Sequence, residues 1–169
     1  MVGATHEALR LLHGWFAQGL IHKEYLCWAE GRFTLEPQLL RHWLTDKGGI
    51  RARANPAPKA LMALSYVRRL SFLGHYTLLQ VRLFTGRKRQ IRAQMAAMGF
   101  PIVGDTRYGN APQDLKLHCA RMILPNGSAF SCLPPWQGHF KVDSLPPLLN
   151  NGEREARTAL AEGVAHVRR

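Results

Sequence analysis

Acidic residues are scarce in this chain. Its 169 residues hold 11 Asp and Glu against 23 Lys and Arg, a formal net charge of +12. The deficit is local as well as global. No Asp or Glu occurs from Lys47 to Gly104, whereas Lys47, Arg51, Arg53, Lys59, Arg68, Arg69, Arg82, Arg87, Lys88, Arg89 and Arg92 are all cationic. A field of that sign attracts polyphosphate backbones and speeds encounter with them. A basic face kept only for solubility is the competing explanation, but such surfaces usually mix both signs.

Other absences exclude whole classes of function. The three cysteines, Cys27, Cys119 and Cys132, are odd in number, far apart and never in a CxxC pair, and the eight His show no ligand spacing with them. Neither a disulfide framework nor a metal site is expected, and reduced thiols in a cytoplasmic protein are. No run of about 18 apolar residues suggests a membrane span. Met1–Ala4 lacks the basic opening and apolar stretch of a signal peptide. Neither GxGxxG nor GxxxxGK[ST] occurs, so no nucleotide cofactor has an anchor, and no cofactor is expected. Repeats and low-complexity tracts are lacking too. What remains is an ordinary globular composition, 46% hydrophobic, long enough to bury one core. A monomer is expected.

The chain reads as α+β, a mixed, mainly antiparallel sheet with a few flanking helices. Thr5 can cap a helix to about Gln18, with Ala8, Leu9, Leu12, Trp15 and Phe16 at helical spacing and Gly19 as its stop. Ile21–Ala29 reads as a strand that places Lys23, Tyr25, Cys27 and Ala29 on one side. Leu35–Pro58, broken by Pro37, Gly48, Gly49, Pro56 and Pro58, reads as an irregular loop. Leu61–Phe72 and Tyr76–Phe84 suggest a hairpin around Gly74, and in the second strand Thr77, Leu79, Val81 and Leu83 alternate as one buried face. A helix follows Thr85, with Ile91, Met95 and Met98 on one stripe, and ends at Gly99 and Pro101. Leu117–Leu124 and Ala129–Leu133 form a further strand pair around Asn126-Gly127, a strong hairpin signal. A polar helix over about Glu153–Val167 closes the chain. Residues 1–149 are taken as one domain and 150–169 as a C-terminal polar helix or tail.

The densest chemistry lies in Thr85–Arg92, TGRKRQIR, and in Gly99–Gly109, GFPIVGDTRYG. A Thr-Gly corner after a strand presents Arg87, Lys88, Arg89 and Arg92 around a single amide, Gln90. That set suits an anionic, hydrogen-bonding ligand such as a nucleotide. With no acid inside the cluster, Arg92 is expected to face an external anion, so that Arg92→Ala would leave the melting temperature nearly unchanged. Asp105, in the Gly-Asp pair, suits a turn residue that accepts from its own backbone N–H groups.

These blocks, with Leu117-His118-Cys119-Ala120, resemble the RluA/RluD-type pseudouridine synthases, whose patterns are TGRxHQIR, GHPIxGDxxYG and LHA. His13–Tyr25 resembles the family stretch that ends in KxY, and Lys59-Ala60 weakly matches a GKxA turn. The resemblance spans roughly Glu7 to Pro135. It implies isomerisation of uridine to pseudouridine in rRNA or tRNA, without a cofactor, in a basic cleft that receives a flipped base. By that resemblance Tyr25 stacks on the base and Arg92 is the basic partner of a catalytic Asp. The resemblance places Arg87 and Gln90 at cleft-wall and loop-anchoring positions and Leu117 as an apolar pocket wall, while Lys88 and Arg89 are expected to bind RNA through their charge.

Two departures are tolerable: Arg89 stands where the family has His, and Phe100 replaces the His of GHP. A third bears on catalysis. The family's nucleophilic Asp lies in an RLD-containing loop, and no RLD triplet occurs here, while Asp46, Asp105, Asp114 and Asp143 fall in other segments. The expectation is a C-terminal portion of a synthase, inactive by itself. The alternative is a non-catalytic RNA-binding protein that uses the same cleft.

Overall fold

A computed structural model describes residues 5–45, 51–56, 58–109 and 114–167. The elements in chain order are α1 (His6–Ala17), β1 (His22–Glu30), β2 (Gln38–Thr45), β3 (Arg51–Arg53), β4 (Leu61–Leu73), β5 (Tyr76–Leu83), α2 (Gln90–Ala97), β6 (Leu117–Ile123), β7 (Ala129–Ser131), a 3₁₀ turn at Gly138–Phe140, and α3 (Glu153–Val167). The strands form one sheet in the order β3-β2-β4-β5-β1-β6-β7, and each pairing is antiparallel. The expected α+β class therefore holds.

Local signals explain most boundaries. Thr5 accepts a hydrogen bond from the Ala8 N–H at 3.2 Å and starts α1. Gly99, at φ +83°, lets the chain leave α2. The β6–β7 turn closes with Leu124 N–H donating to Ser128 O at 2.8 Å, though β7 is shorter than the alternation suggests. The apolar stripe of α1 is a different matter. No residue of that helix is buried, and Leu9, Leu11 and Phe16 are exposed.

The expectation of an irregular loop over Leu35–Pro58 is corrected. Gln38–Thr45 is a strand paired with β4, and Arg51–Arg53 pairs on its far side; residues 46–50 lie outside the described set. The signal failed because β2 is buried on both faces. Leu40 joins one core cluster and Leu44 another beside Ala93 of α2, while Trp43 packs on the opposite side with Met62, Leu64, Ala156 and Ala159. A strand covered twice loses its two-residue alternation.

β5 is also covered on both faces, yet its alternation survives because the second face carries Gln80 and Arg82. Leu79, Val81 and Leu83 pack with Ile91 and Met95 of α2, as the alternation predicts. The other face is buried as well, because the segment after β7 folds back over it. There Arg82 donates to Leu149 O and Glu153 Oε2, and Gln80 donates to Pro147 O. At the centre of that second face sits Glu24, 2% exposed. Its carboxylate accepts from Leu149 N–H (2.6 Å), Gln80 Nε2 (3.0 Å) and Arg121 Nη1 (2.7 Å), and lies 2.9 Å from His22 Nε2. Burial opposes ionisation, but these bonds outweigh it and hold the carboxyl below the usual range. One side chain thus ties β1, β5, β6 and the C-terminal segment together.

Candidate nucleic-acid interface

The corner between β5 and α2 is built from within by Gln90, which is 2% exposed. Its Oε1 accepts from Thr85 Oγ1 (2.8 Å) and Arg87 N–H (3.0 Å), and its Nε2 donates to Leu64 O (2.9 Å). Thr85 in turn accepts from the Leu64 N–H at 2.8 Å. The corner is therefore fastened to β4 by two side chains that spend their polar atoms inside. Arg89 completes it at φ 56°, a left-handed conformation that costs a non-glycine residue energy and recurs at functional sites. What the corner sends outward is charge. Arg87 and Lys88 are exposed and Arg89 is half-buried, while Arg87 Nε also donates to Met62 O at 3.1 Å.

Arg92 behaves differently from its neighbours, and its expected isolation from acids is corrected. Its Nε donates to Asp105 Oδ2 at 2.8 Å and its Nη2 to Asp105 Oδ1 at 2.7 Å, a bidentate pair between α2 and the GFPIVGDTRYG segment. Asp105 is fully buried. It also accepts from the Arg107 and Tyr108 N–H groups at 3.0 and 3.1 Å, which is the turn role expected of it. Burial alone would raise its carboxyl; the Arg92 bonds and the two backbone donors outweigh that and hold it below the ordinary range. The Tyr108 ring lies beneath the guanidinium, 5.6 Å from centroid to Cζ. Neither motif reveals this pair alone, because sequence separation says nothing about which side chains meet.

Tyr25 and Leu117 flank the same helix. Both pack, half-buried, against the cluster that contains Ile91, Met95, Cys27 and Ile102. Tyr25 stands opposite Cys119 of β6. Burial and the Cys119 thiol push the Tyr25 phenol up to about 12, so it stays neutral at physiological pH. Lys23 lies two residues earlier on the same face of β1 and is only 7% exposed. The structure thus brings Tyr25 and Leu117 together on the α2 face, sets the cations of the corner at the head of that helix, and couples Arg92 to Asp105. Among the described residues no group of three or more His, Cys, Asp or Glu could hold a metal ion.

Comparisons with known proteins bear on the family and the fold. The family model described as RNA pseudouridylate synthase matches residues 1–97. An uncharacterized RNA pseudouridine synthase of Chloroflexus aurantiacus is 42% identical over 96 residues, which is 57% of this chain and 29% of that protein. One from Helicobacter pylori is 32% identical over 123 residues, covering 71% of this chain and 50% of the relative. The chain thus spans half or less of the length of these relatives. Among solved structures, Human RNA Pseudouridylate Synthase Domain Containing 1 superposes with a TM-score of 0.70 at 19% identity, over 93% of this chain and 72% of that one, which shows a shared fold. The motifs at the β5–α2 corner and the sheet that carries them agree with the match over residues 1–97: this chain belongs to the RNA pseudouridylate synthase family.

Proposed function

We propose that the α2 face of this chain is the RNA-binding and base-holding part of a pseudouridine synthase site. The observation that carries this is the common placement of Tyr25 and Leu117 against the helix whose head bears Arg87, Lys88 and Arg89. The aromatic ring and apolar wall suit a flipped uracil, and the outward cations suit the phosphates around it. Gln90 acts indirectly by holding the corner in shape. The reaction detaches uracil from the ribose at N1 and rejoins it at C5, releasing the C5 proton. It needs a carboxylate in the cleft. Asp105 is not that group, because both its oxygens are already committed to Arg92 and to backbone N–H groups. The substrate is rRNA or tRNA, and the setting is the cytoplasm, where Cys27, Cys119 and Cys132 stay as free thiols.

The same observation about Asp105 favours a second function, RNA binding without turnover. Release of tritium from RNA carrying 5-tritiated uridine separates the two. The 169-residue chain is expected to release none while still binding the RNA. Robust release would contradict this, and substitution of Asp46, Asp105, Asp114 and Asp143 to Asn, one at a time, would then locate the nucleophile.

A further inference from the structure

Lys23 is a buried cation without an acid. The residue is only 7% exposed, yet among the described residues no carboxylate lies within ion-pair distance of its ammonium. The neighbours are of another kind. The Phe16 ring centroid is 5.4 Å from Nζ. A Cβ added to Gly86 would stand 3.2 Å from Nζ, so the ammonium sits directly under the Thr85-Gly86 corner. The Cys119 thiol is near enough to interact electrostatically, though not enough to offset burial, which pushes the lysine below its ordinary range. Leaving a cation so poorly paired is unfavourable unless something supplies the missing charge. Glu24, the adjacent acid, serves the opposite face of the sheet.

Position says what that something is. Lys23 and Tyr25 share one face of β1, two residues and so about 7 Å apart along the strand. That is the scale separating a nucleobase from its own backbone. We propose that Lys23 is a phosphate-binding residue, which takes a backbone phosphate of the nucleotide whose base lies against Tyr25. It acts from inside the cleft, unlike the exposed cations of the corner. The inference rests on the RNA-binding role proposed above. The glycine at position 86 leaves the ammonium room, since a Cβ there would press on it at 3.2 Å.

The test is fluorescence anisotropy of a labelled RNA hairpin with a uridine loop, titrated across a series of KCl concentrations. Wild type is compared with Lys23→Met, which keeps the stem and removes the charge, and with Lys141→Met, an exposed lysine paired with Asp143. Lys23→Met should bind more weakly, with a log–log salt slope shallower by about 0.7–0.9, the value of one phosphate contact. Lys141→Met should keep the wild-type slope. A wild-type slope in Lys23→Met overturns the assignment and leaves the RNA-binding function standing. No binding by the wild-type chain at low salt overturns both. Thermal melts accompany each variant, with Lys23→Gln as a second neutral replacement. If neither neutral variant melts cooperatively, Lys23 holds the fold rather than a ligand, and the assignment fails.

Discussion

Arg92 and Asp105 decide what single substitutions at the site will do. Arg92→Ala would leave a fully buried carboxylate without its bidentate partner. Removing one member of a buried pair typically costs roughly 3–5 kcal/mol. The partial exposure of Arg92 puts the expected loss near the lower end, about 3 kcal/mol in urea unfolding. Asp105→Asn should lose less, because the amide oxygen still accepts from the Arg107 and Tyr108 N–H groups. An unchanged unfolding midpoint for Arg92→Ala would show that the pair contributes nothing. Acid should reveal the same bond. Asp105 and Glu24 both have carboxyls held below their ordinary range. Their contribution is complete above the unfolded-state carboxylate pKa and is lost as pH falls through the lower folded values. Stability should therefore hold from neutrality to about pH 5 and decline below it, and Asp105→Asn should flatten that decline. A stability that rises on acidification would contradict both assignments.

Among the elements, α3 depends on one glycine. Gly152 precedes it at φ +80°, and a Cβ there would come within 2.9 Å of Tyr66 Cγ on β4. Gly152→Ala combines a conformation that L-residues avoid with an overlap against a ring held in the sheet. The expected loss exceeds about 1 kcal/mol. It should be concentrated in α3, which buries Ala156 and Ala159 beside Trp43 and Leu64. Amide exchange should accelerate across α3 more than across β1, β5 or α2. Uniform acceleration would mean that α3 and the sheet open as one unit. The elements also show what the residue pattern conveyed. The β4–β5 hairpin, α2 and the β6–β7 turn were legible, because β5 alternates apolar residues with Gln80 and Arg82, α2 carries an apolar stripe, and Asn126-Gly127 marks the turn. β1 was legible as an apolar and aromatic run free of breakers, although both its faces are buried. β2 was hidden because it is buried on both faces and flanked by the breakers Pro37 and Gly48-Gly49. The stripe of α1 was legible as a helix, but not as one left without buried residues.

For the whole molecule, the sequence showed the cations and the aromatic residue of the site but not its pairings. The TGRKRQIR run displayed charge, and the structure divides it by role. Gln90 works inside the corner, Arg92 is neutralised across the fold by Asp105, and Arg87, Lys88 and Arg89 face outward. Lys23 was visible in the sequence as the Lys of the KxY stretch, but not as a buried cation, since only tertiary packing removes it from water. The net charge of +12 then acts through a few placed groups over a general basic field. The most direct test of this account is the binding of a uridine-containing structured RNA measured against salt. Several neutralised phosphates should give a log–log slope of about −3 or steeper. A flat response, or no binding at low salt, would contradict the assignment of the α2 face to RNA.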